Sequence, residues 1–381
     1  MKDKASKNRI LPVMITALFL AFIIAGCILY IFLPKKNYSE TEKRYLAGAP
    51  EISVENIKTG EFSEEFENYL SDHTPLRTFF VSVSSYFELI KGNNGSNGVY
   101  LGKNGMLIEK PFETENRFDK NTDEIITFCK NIDLPVTLIA VPEKGAVCEK
   151  YLPKNALRYY DFDYLKALSE KCNGINNLSF IDLTDSFKAE NADTYYYKTD
   201  HHWTSDGAFE AYKLICSAKE FESPLTDNYH IRSYDGFYGT SYSKSCFTLT
   251  KPDEVKLYIN KTSGGKADII ITEGKETKEY GSMFFTERLD EGDKYTVFLD
   301  GNHTKVDIKS GVNNKKLLVI KDSFAHCLVP FLAEQYGEIV MIDQRYFTKP
   351  VNKLIEEENY DEVMLIYGVD SLATSRDITL K

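Results

Sequence analysis

The sequence predicts a doubly wound parallel α/β sheet with a β-rich insertion, preceded by one N-terminal transmembrane helix. Three observations carry this. Residues 10–33 are apolar and hold no charged side chain. Past residue 98, short apolar runs rich in β-branched residues alternate with segments of helical spacing, the pattern of a sheet covered on both faces. Residues 224–309 break that pattern with Thr-rich, alternating, turn-filled stretches.

The first of these reads as a membrane helix because an α-helix rises about 1.5 Å per residue and a bilayer core is roughly 30 Å thick. Pro12 falls in the first turn, where a missing N–H costs little. Lys2, Lys4, Lys7 and Arg9 precede the segment and Lys35, Lys36, Lys43 and Arg44 follow it, so the flanking basic charge is balanced. The short basic tail at 1–9 is the usual layout of a signal anchor, which puts the N-terminus in the cytoplasm and the rest outside the cell membrane. Two other readings exist. A cleaved signal peptide has a shorter apolar core of about 7–15 residues. Ile24-Ala25-Gly26-Cys27 has the form of a lipobox, with Cys27 as the lipidated residue, although the apolar run continues through Leu33.

Residues 34–97 form an extracytoplasmic stalk with helix-like spacing at 62–69 and 79–89, separated by the charged turn Asp72-His73-Thr74-Pro75-Leu76-Arg77. The main domain is expected over 98–381. A hairpin opens it, turning at Lys103-Asn104-Gly105. The runs at 136–141 (VTLIAV), 178–183, 316–320, 338–342 and 362–367 are its strands, and 122–131 and 160–172 are helices between them. Leu328 to Tyr336 also has helical spacing, and Tyr295 to Leu299 is strand-like.

With 381 residues, 43% of them hydrophobic, the chain can bury a large core. A net charge of −11 with no basic stripe beyond the N-terminus argues against a nucleic-acid partner, which would need clustered cations. The 25 Tyr and 24 Phe are first of all core and sheet residues. Cys129, Cys148, Cys172, Cys216, Cys246 and Cys327 are widely spaced and read as buried, reduced side chains, with neither a CxxC pair nor a zinc pattern.

Two segments place reactive side chains beside strand and turn signals. Asp200-His201-His202-Trp203 precedes a helix with Ser205 and Asp206 as capping candidates. An Asp two positions before a His on a loop can hold the imidazole in one tautomer and stabilise its protonated form. Lys321-Asp322-Ser323-Phe324 follows a buried strand, so Ser323 falls at the carboxyl edge of the sheet, where the next helix offers N–H groups to an oxyanion. A serine without a base is a poor nucleophile, so the two segments are read together.

These motifs, together with Lys43-Arg44-Tyr45-Leu46-Ala47 and the turn at Asp72 to Arg77, resemble the DHHW protein family. That family is similar to the SGNH hydrolase-like domains of alginate O-acetyltransferase proteins. The resemblance implies an SGNH-like fold and a triad in which Ser323 is the nucleophile, His202 the base and Asp200 its orienter. It also implies O-acetyl transfer to a cell-surface polysaccharide, as in exopolysaccharide biosynthesis, with a membrane-bound O-acyltransferase as partner and no cofactor. Lys321 stands where the Gly-Asp-Ser motif of SGNH hydrolases has glycine, and the order Asp, His, Ser is that of the alginate-type proteins.

Around this triad, Asn302 and the Ser323 N–H are the oxyanion candidates, and His201, Trp203, Asp322 and His326 are expected as substrate or supporting residues. Blander roles stand beside these. Asp200, His202 and Ser323 are all residue types that cap helices, and Asn302 after Gly301 is a turn signal. Trp203 is read as a packing anchor, with sugar stacking as the alternative. Gly239-Thr240-Ser241-Tyr242-Ser243 is read as a loop near the site. A metal held by Asp200, His201 and His202 lacks a further ligand cluster. Three functions remain open: acyltransferase, carbohydrate esterase with the same triad, and a non-catalytic polysaccharide-binding or assembly protein.

Overall fold

The computed structural model describes residues 2–112 and 117–380. Met1 of the expected cytoplasmic tail, the side chains of residues 2–10, and Lys381 lie outside the described residues. The chain divides into two units, Met1–Phe87 and Glu88–Lys381.

In the first unit a helix runs over Lys2–Phe32, and its segment Leu11–Phe32, with a mean hydropathy of 2.7, is long and apolar enough to cross a membrane. Helices at Val54–Thr59, Glu61–Asp72 and Arg77–Ile90 follow. The two motifs quoted from this region bind each other. Arg44 grips Asp72 with Nη1–Oδ2 at 2.9 Å and Nη2–Oδ1 at 2.5 Å, and the Ala47 N–H adds a bond of 2.8 Å to the same carboxylate. Hydrogen bonds from Arg44 hold the Asp72 carboxyl down to about 2 against its partial burial. His73 Nε2 lies 2.9 Å from the Ala47 carbonyl, so the turn and the strand Arg44–Tyr45 are joined twice.

The second unit is built on one eight-stranded sheet. Its strands are β1 (Val136–Val141), β2 (Leu178–Ile181), β3 (Lys266–Glu273), β4 (Glu276–Ser282), β5 (Lys305–Lys309), β6 (Lys316–Lys321), β7 (Glu338–Ile342) and β8 (Glu362–Gly368). Across the sheet they lie in the order β4-β3-β5-β7-β6-β8-β1-β2. The five from β7 to β2 are parallel. β1 and β8 are buried at every residue, as strands covered on both faces must be. Alternate residues divide between two cores. Leu318, Ile320, Val363 and Leu365 pack under the helices Arg117–Asn131 and Asp161–Cys172, whereas Leu317, Val319, Met364 and Ile366 pack under the helix Ser205–Ala218.

The insertion is not a separate layer. Its strands β3, β4 and β5 extend the main sheet in antiparallel sense, and a ribbon of Tyr229–Phe237 with Asp253–Asn260 stands apart. Ile269, Ile271, Val306 and Ile308 are buried with more exposed neighbours between them, so this end of the sheet has one wet face. Two local expectations change. Only Val329–Leu332 is α-helical in the run from Leu328 to Tyr336, with Pro330 in its first turn. Residues 294–297 form a 3-10 turn rather than a strand, and Leu299 and Asp300 then take positive φ. The six cysteines of this unit are buried and unbridged.

Candidate functional site

β6 ends at Lys321, and the chain turns into one 3-10 turn, Ser323–Ala325, at the carboxyl edge of the parallel strands. Asp322, not Ser323, caps this turn. One carboxylate oxygen accepts from the Phe324 N–H at 3.0 Å and the other from the Gly368 N–H at 2.6 Å, while the Asp322 N–H donates to the Ile366 carbonyl. Asp322 thus clamps the end of β6 to the end of β8 and leaves the Ser323 hydroxyl free of capping duty. Ser323 remains partly exposed.

The Asp200 to Trp203 loop is held from three sides. Tyr196 and Trp203 form an isolated bridge that closes it. Asp253 accepts the Lys198 and Thr199 N–H groups, both at 2.7 Å. The buried Lys144 ammonium donates to the carbonyls of Tyr197, Lys198 and Asp200 at 3.2, 3.4 and 2.5 Å, satisfying oxygens that the tight loop turns inward.

Within that loop Asp200 Oδ1 accepts from the His202 N–H at 2.8 Å and lies 2.6 Å from His202 Nδ1. His202 Nε2 lies 2.7 Å from Ser323 Oγ. The three side chains therefore form one continuous line from carboxylate to hydroxyl across 121 positions of sequence. Burial opposes the charge on Asp200, but the His202 imidazole beside it and the Thr240 N–H, 2.6 Å from Oδ2, hold its carboxyl well below the ordinary range. With Nδ1 serving the carboxylate, Nε2 is the nitrogen that faces the serine.

The other expected residues divide. The His201 ring lies against His202 at a tilt of 36° with centroids 3.9 Å apart, and burial followed by that neighbour brings its imidazole down to about 4, so it stays neutral. Its Nδ1 lies 3.8 Å from Glu109. Trp203 is wholly buried, which removes sugar stacking. Its indole N–H donates to the Phe324 carbonyl at 2.9 Å and pins the serine turn from below. His326 is buried behind the turn, with Nε2 2.7 Å from Lys321 Nζ. Lys321, at the glycine position of the SGNH motif, pairs with Asp343 at 2.9 Å, and Arg345 reaches the same carboxylate. Asn302 joins this network through its Oδ1, which accepts from Lys321 at 3.2 Å and from Arg345 at 3.1 Å. Asp200, His201 and His202 do bring potential metal-binding atoms within 4.8 Å of one another, but Asp200 Oδ1 is already committed to two donors of His202.

Sequence reasoning missed two contributors, Lys144 and Tyr295, and placed a third near the site in another conformation. Lys144 was hidden because a buried lysine has no local signal. Tyr295 lies flat against His202, with centroids 4.1 Å apart and planes 10° apart. Gly239 and Thr240 open a short helix, Thr240–Ser245, rather than a loop, and its first N–H reaches Asp200. The glycine there is needed for space, since a Cβ at 239 would lie 2.1 Å from Asp200 Cβ and 2.6 Å from its Cα. Gly239→Ala is expected to cost about 1–3 kcal/mol by overpacking, read as a lower midpoint in thermal unfolding. An unchanged midpoint would mean that the loop yields freely.

A family model described as DHHW protein matches residues 165–342, which include Asp200, His202 and Ser323, so the resemblance read from the motifs is borne out. No curated protein matches the chain. Among solved structures, a DHHW family protein from Eubacterium siraeum DSM 15702 is 22% identical, with a TM-score of 0.62 over 75% of this chain and 95% of that one. Bacillus cereus PatB1 is 17% identical, with a TM-score of 0.64 over 74% of this chain and 99% of that one. The same protein solved with a sulfonyl adduct is 19% identical, with a TM-score of 0.62 over 72% and 96%. These likenesses are in fold, and the mostly parallel α/β sheet is the SGNH-like architecture expected.

Proposed function

Taking as premise a chain whose residues 165–342 match the DHHW protein family, we propose that its second unit is a serine-dependent O-acyltransferase acting on hydroxyls of a cell-surface polysaccharide, with acetyl as the group moved. One observation carries the reading: the His202 ring stands between Asp200 at 2.6 Å and Ser323 at 2.7 Å. Ser323 Oγ attacks the acyl carbon of a donor ester while its proton passes to His202 Nε2. The ester C–O bond breaks and the imidazolium returns that proton to the departing oxygen, leaving an acyl-serine. A sugar hydroxyl then attacks the acyl carbon, gives its proton to His202, and releases Ser323, which takes the proton back. We assign the Ser323 N–H as an oxyanion donor, since Asp322 takes up the Phe324 N–H instead. The sulfonyl adduct obtained on PatB1 favours a reactive side chain in a protein of this fold.

The apolar helix Leu11–Phe32 is read as an uncleaved anchor with this unit on the outer side. Such tethering would keep it near a membrane-bound O-acyltransferase that delivers acetyl groups. The test supplies the detergent-solubilised full chain with p-nitrophenyl acetate and an unmodified oligosaccharide. Mass spectrometry should find acetyl on Ser323 and then on the sugar. Free acetate with an unmodified sugar would make the protein an esterase, and no acetyl-Ser323 with no turnover would leave only the non-catalytic binding role.

A further inference from the structure

His202 is enclosed on both faces. His201 covers one at 3.9 Å, Tyr295 covers the other at 4.1 Å, and Phe324 approaches edge-on at 5.3 Å. The Tyr295 ring is itself fixed. Its hydroxyl lies 3.3 Å from both the Ser323 carbonyl and Cys327 Sγ, and Tyr197 and Phe298 meet it edge to face. A phenol ring has a negative face and attracts a cation laid over it, but gains little from a neutral ring. Contact of this kind stabilises a charged state selectively, which is what a step that creates imidazolium needs.

We infer that Tyr295 is a positioning residue for His202, whose ring face supports the imidazolium formed when Ser323 gives up its proton. This rests on the acyl-transfer reading above. The other titratable groups facing His202 are Asp200 at Nδ1 and His201 on the opposite face, with Glu109 beyond His201 and His326 behind Tyr295. Burial keeps His201 and His326 neutral, so neither opposes the charge, while Asp200 and Tyr295 favour it in direct contact and Glu109 from beyond His201. The hydroxyl of Tyr295 serves to hold the ring, and the ring serves His202.

The experiment separates ring electrostatics from shape. In the full chain, Tyr295 is replaced by Phe, 4-fluorophenylalanine, 3,5-difluorophenylalanine and pentafluorophenylalanine, which keep a flat ring while draining and finally reversing the charge of its face. The titration of His202 is followed by NMR of labelled histidines without any substrate, assigned through His202→Gln. Tyr295→Phe should titrate close to wild type. The fluorinated series should move the midpoint down in graded fashion, reaching about one pH unit, with kcat falling about tenfold and KM unchanged. A flat series, or a Tyr295→Phe shift as large as that of the pentafluoro variant, would overturn the inference. Because the titration needs no turnover, a chain inactive on every ester would end the acyl-transfer reading while the stacking effect could still be measured.

Discussion

Ser323→Ala is expected to remove ester turnover, lowering kcat by roughly 10⁴- to 10⁶-fold while changing global stability by less than about 1 kcal/mol. The asymmetry follows from where the hydroxyl sits. Asp322 and not Ser323 caps the turn, and Asp322 also ties it to Gly368, so the backbone at the site does not depend on the serine side chain. Among the described residues its side-chain partner is His202. Hydrolysis of p-nitrophenyl acetate, set beside thermal unfolding of the same preparations, checks both halves. A variant that keeps its rate would show that Ser323 is not the nucleophile, and one that unfolds would show that the turn needs its hydroxyl.

Asp200→Asn should be nearly as damaging to rate, by about 10⁴-fold, and unlike the serine change it should also destabilise. The carboxylate is buried and accepts from three N–H groups, those of His202 Nδ1, the His202 backbone and the Thr240 backbone. An amide of the same shape turns one acceptor into a donor that faces donors, and breaking a buried charged network of this kind costs about 3 kcal/mol. The pH dependence has a definite sign. The folded carboxyl titrates well below its ordinary value, near which it returns on unfolding. Its stabilisation is therefore complete above about pH 4 and is lost as the pH falls below that through the folded value. The difference in unfolding midpoint between wild type and variant should be widest near neutrality and should close in acid. A difference that does not vary with pH would mean that the loss comes from packing.

The parts of the fold legible in the sequence are those whose residues answer to local rules. The runs at 136–141, 338–342 and 362–367 are strands because buried parallel strands need unbroken apolar, β-branched residues, and they fall where expected. The helix Asp161–Cys172 and the 122–131 part of Arg117–Asn131 follow from their periodicity. Asp200, His202 and Ser323 could be selected because each stands at a loop or strand end with the right neighbours. What stayed hidden depends on distant partners. Nothing near Tyr295 says that its ring will meet an imidazole from another segment. Alternation in β3 and β5 marks a strand with one buried face, but not which sheet it joins, so the sequence shows a β-rich insertion without showing that it lengthens the main sheet. Asn302 looked like an oxyanion donor beside Gly301, and only the folded chain brings Lys321 and Arg345 to its oxygen.

The position of β8 has a bearing on how the molecule comes to be made. Strands β6 and β1 are not paired with each other; β8, which follows both along the described residues, is wedged between them and supplies the amide that donates to Asp322. During translation the histidine loop emerges first, and the serine turn has no fixed seat until β8 has followed it out of the ribosome. Long-range pairing of this kind forms late. A nascent or truncated polypeptide that stops before β8 would therefore carry Asp200, His202 and Ser323 without the clamp that seats the serine turn.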